Sequence, residues 1–199
     1  GAGVGVAAAS VAAAGAALAL VRLGAGDAGL TARVLALEIT GGVLLAALAA
    51  RELLGPSFGV ANGVTLARGA LTMLLLALLA APRSTLLAWY VVAIALVGLA
   101  LDGLDGWLAR SRGESTAFGA RFDMETDALL ILALCLLAWQ LGKAGGWVVL
   151  AGALRYAFVA ASWVMPWLGS ELPPSRRRQA VCVVQIVSLI LCLLPAVPP

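Results

Sequence analysis

The chain has 199 residues, 63% of them hydrophobic and 12% charged, with a formal net charge of +3 and no histidine. Its mean hydropathy is +1.05. That balance excludes an ordinary soluble domain and places the chain in the membrane class. The missing imidazoles exclude Ser-His-Asp and Cys-His nucleophiles and any His-ligated metal site, and the net charge is too small to call for a nucleic-acid partner.

A hydrocarbon core about 30 Å thick takes roughly 20 apolar residues per helix. The expected fold class is therefore all-α, a polytopic integral membrane bundle of about six to seven transmembrane helices. Candidate helices run near 4–21, 29–50, 63–81, 86–111, 119–142, 146–166 and 179–197. The first is rich in Ala and Gly and is expected to pack against protein through small residues rather than face lipid. The second carries Glu38 and a Gly41-Gly42 pair. Gly55-Pro56-Ser57, Pro82-Arg83-Ser84 and the run 143–146 separate the later helices. The polar stretch 168-LGSELPPSRRRQ-179 leads into the last span. The first twenty residues lack a basic n-region, so no signal peptide is expected.

Charge bias sets the orientation. Arg51, Arg112 and Arg176–Arg178 fall on one side, while Arg22, Arg83 and Lys143, with Arg33 as an addition, fall on the other. The positive-inside rule puts the first group in the cytoplasm. The arginine run is read as a topology determinant and headgroup anchor, with binding of an anionic acceptor as the alternative. Arg68, near the start of a span, either snorkels or contacts a ligand. Arg155, mid-span, is expected to bind an acceptor or phosphate in preference to pairing with Glu38. Cys135, Cys182 and Cys192 fit neither a zinc site nor a disulfide framework and are read as packing residues. The six tryptophans, mostly near span ends, read as interfacial anchors.

Chemistry concentrates in 101-LDGLDGWLARSRGESTAFGARFDMETDALL-130. Asp102 and Asp105, with Gly106 and Ala109, share one helical face, as do Gly119, Asp123 and Asp127 on the next helix. The polar link 111–118 lets the two helices fold back so that their acidic faces meet. Each carboxylate in the bilayer costs about 2.5–3.5 kcal/mol, roughly 10 kcal/mol for four left unpaired. Arg110 and Arg121 could neutralise two at most. Oxygen ligands without His or Cys select Mg²⁺, Mn²⁺ or Ca²⁺. Two such ions balance four aspartates and suit displacement at phosphorus.

The pattern D-x2-D-G-x2-A-R-x8-G-x3-D-x3-D, complete here, resembles the signature of the CDP-alcohol phosphotransferases, membrane enzymes of phospholipid synthesis. The segment 62-NGVTLARGALTMLLL-76 is similar to that family's first core helix, and the likeness spans roughly 57–198. It implies that Asp102, Asp105, Asp123 and Asp127 hold two Mg²⁺ or Mn²⁺ ions, with Asp127 also the general base. It implies further that Gly106, Arg110, Thr116, Thr65 and Arg68 line the cytidine diphosphate pocket, where Ala109 and Gly119 leave room on the same faces. Arg155, Arg176, Arg177 and Arg178 are then the candidates for an anionic acceptor. The expected reaction moves a phosphatidyl or similar group from a CDP-linked lipid, CDP-diacylglycerol above all, to a small hydroxyl acceptor such as glycerol 3-phosphate or inositol phosphate, releasing CMP. Residues 55–199 would be the phosphotransferase domain and 1–54 an extra hydrophobic pair, with the family's usual sixth core helix lacking a counterpart. The resemblance also implies a homodimer in a bacterial or archaeal cell membrane, its site open to the cytoplasm. Variable positions Arg121 and Glu125 receive no role. The alternative from another class is a divalent-cation transporter or channel with an acidic intramembrane site.

Overall fold

The computed structural model describes residues 2–24, 27, 29–52, 60–112, 116–169 and 176–197. Within these, the side chains of residues 2–10, 44–52, 60–61, 108–110, 112, 117, 166, 169 and 176 lie outside the description. The described residues form seven α-helices and no strand: α1 Ala2–Arg22, α2 Leu30–Glu52, α3 Val60–Ala77, α4 Thr85–Arg112, α5 Ala117–Gln140, α6 Val148–Val164 and α7 Arg176–Leu193. The fold is therefore all-α, with each helix where its apolar run places it. Asn62–Ala80 and Thr85–Trp107 are long and apolar enough to cross a membrane by length and composition alone.

The centre of the bundle is α3, which packs against α4 and α5 on one side and against the α1–α2 pair on the other. The remaining contacts join α5 to α6, and α7 to both α4 and α5. Leu74, Leu75, Leu78, Leu87, Val91, Leu134 and Leu137 are buried in one continuous apolar cluster. That cluster fills the half of the bundle where α3 and α5 end, leaving the other half to polar groups.

Helix ends at the apolar half are closed by side chains. Arg33 Nε donates to the Ala77 carbonyl at 3.2 Å, and Gln140 Nε2 to that of Ala81 at 3.0 Å. Lys143 Nζ donates to the Leu194 carbonyl at 3.1 Å and also reaches that of Val197, so it caps the end of α7. Terminal carbonyls have no partner inside their own helix, and cations there also meet the negative end of the helix dipole. Lys143 and Arg33, read from sequence as topology signals, thus tie helices together as well. The Arg33 guanidinium also pairs with Asp27 and holds its carboxyl down at about 2.

All six tryptophans are exposed, and each sits at or near a helix end. Trp89 and Trp107 on α4 are 18 residues apart, or about 27 Å at 1.5 Å per residue. That separation matches the roughly 30 Å hydrocarbon thickness, as two interfacial belts would require.

Where α5 meets α6, a Cβ on Gly152 would lie 2.9 Å from Leu132 Cα and 3.2 Å from Cys135 Cβ. The first neighbour is backbone and cannot swing aside. Gly152→Ala is therefore expected to destabilise the bundle by about 1–3 kcal/mol. Thermal melting in detergent checks this against Gly15→Ala, where no atom lies within 4 Å and the change should be neutral or stabilising.

Candidate active site

Three helices bring acidic and basic groups to the polar half of the bundle. On α3, Thr65, Arg68 and Thr72 recur at i, i+3 and i+7, and all three are buried. They face α4 and α5. Asp102 and Asp105, one turn apart on α4, and Asp123 and Asp127, one turn apart on α5, point into the same space. The two acidic faces therefore do meet.

At the junction stands Arg68, only 1% exposed. Its Nη1 lies 3.0 Å from Asp105 Oδ2 and 2.6 Å from Asp123 Oδ1. Its Nη2 lies 2.9 Å from Asp102 Oδ1 and bonds Asp127 Oδ1 as well. Thr65 donates to Asp105 Oδ2 at 2.9 Å, which fixes the most buried of the four carboxylates. Thr72 donates to the Arg68 carbonyl at 2.9 Å. The planar fork of a guanidinium is what lets one side chain reach four carboxylates. Arg68 thus does not snorkel. Among the described side chains it supplies the positive charge at the centre; Arg121 is exposed.

Among the described side chains, one guanidinium among four carboxylates leaves three negative charges in excess. Ligand oxygens of Asp102, Asp123 and Asp127 all lie within 4.8 Å of one another. An all-oxygen donor set with surplus negative charge fits a hard divalent cation. Asp105 stands slightly apart, engaged by Thr65 and Arg68.

The other candidates from the sequence are spread more widely. Thr116 caps α5, its Oγ1 accepting from Gly119 N at 2.9 Å. A Cβ on Gly119 would stand 2.8 Å from Asn62 Oδ1, the end of a side chain that would have to swing aside. Gly106 is half-buried on α4, between the acidic turn and Trp107. Arg177 and Arg178 are exposed at the start of α7. Ala109, Arg110 and Arg176 lie outside the described side chains. Arg155 pairs with Glu125 on α5, not with Glu38, and its Nε lies 3.4 Å from Glu125 Oε2. Glu125, given no role from sequence, is therefore an α5–α6 link. A second group that sequence reasoning passed over is Cys182, whose Sγ lies 3.4 Å from Asp127 Oδ2. The i, i+3, i+7 recurrence of Thr65, Arg68 and Thr72 was a usable signal for the buried arginine. Nothing in the sequence singled out Cys182 or Glu125.

Depth comes from helix rise. Asp102 and Asp105 precede the interfacial Trp107 by five and two residues, about 8 and 3 Å along the axis. The pocket lies near the Trp107 end of the apolar stretch Thr85–Trp107 and not at its middle.

Residues 58–198 match the family model for CDP-alcohol phosphatidyltransferase. A curated protein of Rubrobacter xylanophilus, named Bifunctional IPC transferase and DIPP synthase, is 47% identical over 76 residues, covering 35% of this chain and 17% of the relative. The chain therefore spans about a sixth of that relative's length. No solved structure matches.

Replacing Arg68 removes the cation that holds four carboxylates together. Arg68→Leu is expected to lower stability by about 3–5 kcal/mol, the usual consequence of leaving buried charge unpaired. Melting of the detergent-solubilised protein in a chelator reads this, and added Mg²⁺ or Mn²⁺ should recover part of the loss.

Proposed function

Because the chain belongs to the CDP-alcohol phosphatidyltransferase family, we propose that it is a membrane phospholipid-synthesis enzyme that moves a phosphatidyl or similar phospho-alcohol group from a CDP-linked donor to a hydroxyl acceptor and releases CMP. CDP-diacylglycerol is the donor in this reading. The observation that carries it is the convergence of four motif carboxylates, from two helices, on one pocket around Arg68. A lipid anchored at the interface can lower its pyrophosphate into such a site without leaving the bilayer.

Asp102, Asp105, Asp123 and Asp127 are the residues that would hold two Mg²⁺ or Mn²⁺ ions, which when bound neutralise the donor's phosphates. The protein's own part is positioning and proton transfer. Thr65, Arg68, Gly106, Arg110 and Thr116 line the nucleotide end, with Ala109 and Gly119 leaving space beside it. Asp127 takes the proton of the acceptor hydroxyl as its oxygen attacks the donor's β-phosphorus. The new P–O bond forms there while the bond to the CMP oxygen breaks. With no histidine in the chain, a carboxylate is the base at hand.

The acceptor in this reading is itself anionic, of the glycerol 3-phosphate or inositol phosphate kind. Arg176, Arg177 and Arg178 open α7, where the helix dipole is already positive, so an anion there is doubly favoured. Arg155 would join them by exchanging Glu125 for the acceptor's phosphate. The stretch shared with the bifunctional relative is too short to carry either of its activities across, so the acceptor rests on these arginines. We read residues 55–199 as the transferase domain and 1–54 as an added pair packed on α3. The bundle would make six to seven spans as a homodimer in a bacterial or archaeal cell membrane, its carboxylates toward the cytoplasm.

CMP release from CDP-diacylglycerol in Mn²⁺ or Mg²⁺, across a panel of acceptors, tests this. Asp127→Asn should lower turnover by about 10²–10⁴-fold with little change in melting temperature. Full turnover in that variant would remove Asp127 from the chemistry. Nucleotide-independent Mn²⁺ uptake into vesicles, without CMP release, would favour the transporter instead.

A further inference from the structure

Cys182 is the group in the pocket that the proposed reaction leaves unused. It opens the inward stripe of α7, which continues through Ile186, Leu189, Ile190 and Leu193, all buried. Apolar packing explains those four. Cys182 packs against the same cluster, but its thiol also meets a carboxylate oxygen, which packing does not explain.

The contact is specific in two respects. Asp127 Oδ2 accepts from the Cys182 thiol at 3.4 Å, while Oδ1 of the same carboxylate is bonded by Arg68. The two oxygens are thus held from different helices, α7 and α3, which fixes the plane of a group that would otherwise rotate about its last torsion. The other cysteines do nothing similar. Cys135 is buried against Gly152, and Cys192 Sγ lies 3.7 Å from the Lys143 carbonyl at the far end of the bundle. A thiol is also a weak donor. It can orient Oδ2 while leaving that oxygen free to take a proton, which a guanidinium in the same place would hinder.

We propose that Cys182 is a positioning residue, holding the Asp127 carboxylate in the orientation from which it accepts the acceptor's hydroxyl proton. This rests on the reading of Asp127 as the base. It also gives α7 a part in the site beyond burying apolar surface.

The test uses the full chain in detergent, with CDP-diacylglycerol, Mn²⁺ and whichever acceptor supports turnover. Cys182→Ala and Cys182→Val, which lack a donor and bracket the volume, should lower kcat about three- to tenfold with KM for the donor unchanged. Cys182→Ser, which keeps a donor, should return kcat to within about twofold of the native value. A structural role alone would not produce rescue by serine. Independently of turnover, the infrared S–H stretching band assigned to Cys182 by difference against Cys182→Ala should shift in Asp127→Asn. Equal kcat in the Ala, Val and Ser variants, or an S–H band unmoved by Asp127→Asn, overturns the proposal. The base reading fails separately: an inactive Asp127→Asn beside a fully active Cys182→Ala sinks only the role of Cys182, whereas a fully active Asp127→Asn sinks the base.

Discussion

The contact between Arg68 and the carboxylates of Asp102, Asp105, Asp123 and Asp127 organises the polar half of this bundle. Four acidic groups gathered in one pocket repel one another and lose hydration. The planar cation of Arg68 between them turns that repulsion into a cross-link among α3, α4 and α5. Among the described side chains the compensation is incomplete, since one positive charge faces four negative ones. What remains is a pocket that is folded yet still strongly attractive to divalent cations. A hydrophobic cluster of similar size could have packed these helices at lower cost, so the charge is weak evidence of a stabilising role.

The rest of the molecule is arranged to keep that pocket shallow and firm. The apolar cluster and the side-chain caps from Arg33, Gln140 and Lys143 occupy the opposite half. α4 has 28 residues, about 42 Å at the standard rise, and so extends beyond a hydrocarbon core of about 30 Å. Its acidic turn falls within two turns of Trp107, near one end of the apolar stretch Thr85–Trp107 and not at its middle. A carboxylate near the end of a span costs less to desolvate than one at its centre. Gly152 allows the close approach of α5 to α6, where a Cβ would meet the Leu132 backbone.

Much of this was legible in the residues. Long apolar runs marked all seven helices, because an apolar surrounding demands them irrespective of partner. The spacing within α4 and α5 put each aspartate pair on one face, because helical period alone decides that. Partner choice was harder. Arg68 reads equally as a snorkelling residue until one sees that α3 is central, with no lipid beside its Thr65-Arg68-Thr72 face. Arg155 was expected to seek a phosphate or Glu38, but Glu125 stands across the α5–α6 seam and takes it. Cys182 was read as packing because a thiol is equally at home among leucines. In each case the missing information was which helix lies opposite, and periodicity does not encode that.

The centre of this molecule is a cage of carboxylates that Arg68 holds together without neutralising. Mn²⁺ binding to the purified chain, followed by electron paramagnetic resonance, addresses this most directly. The account predicts about two ions per chain, near enough to couple magnetically, as two-metal sites about 3.5–4 Å apart do, with occupancy lost in Asp102→Asn and Asp123→Asn. A chain that takes up no Mn²⁺, or takes it up equally well without those aspartates, would contradict it.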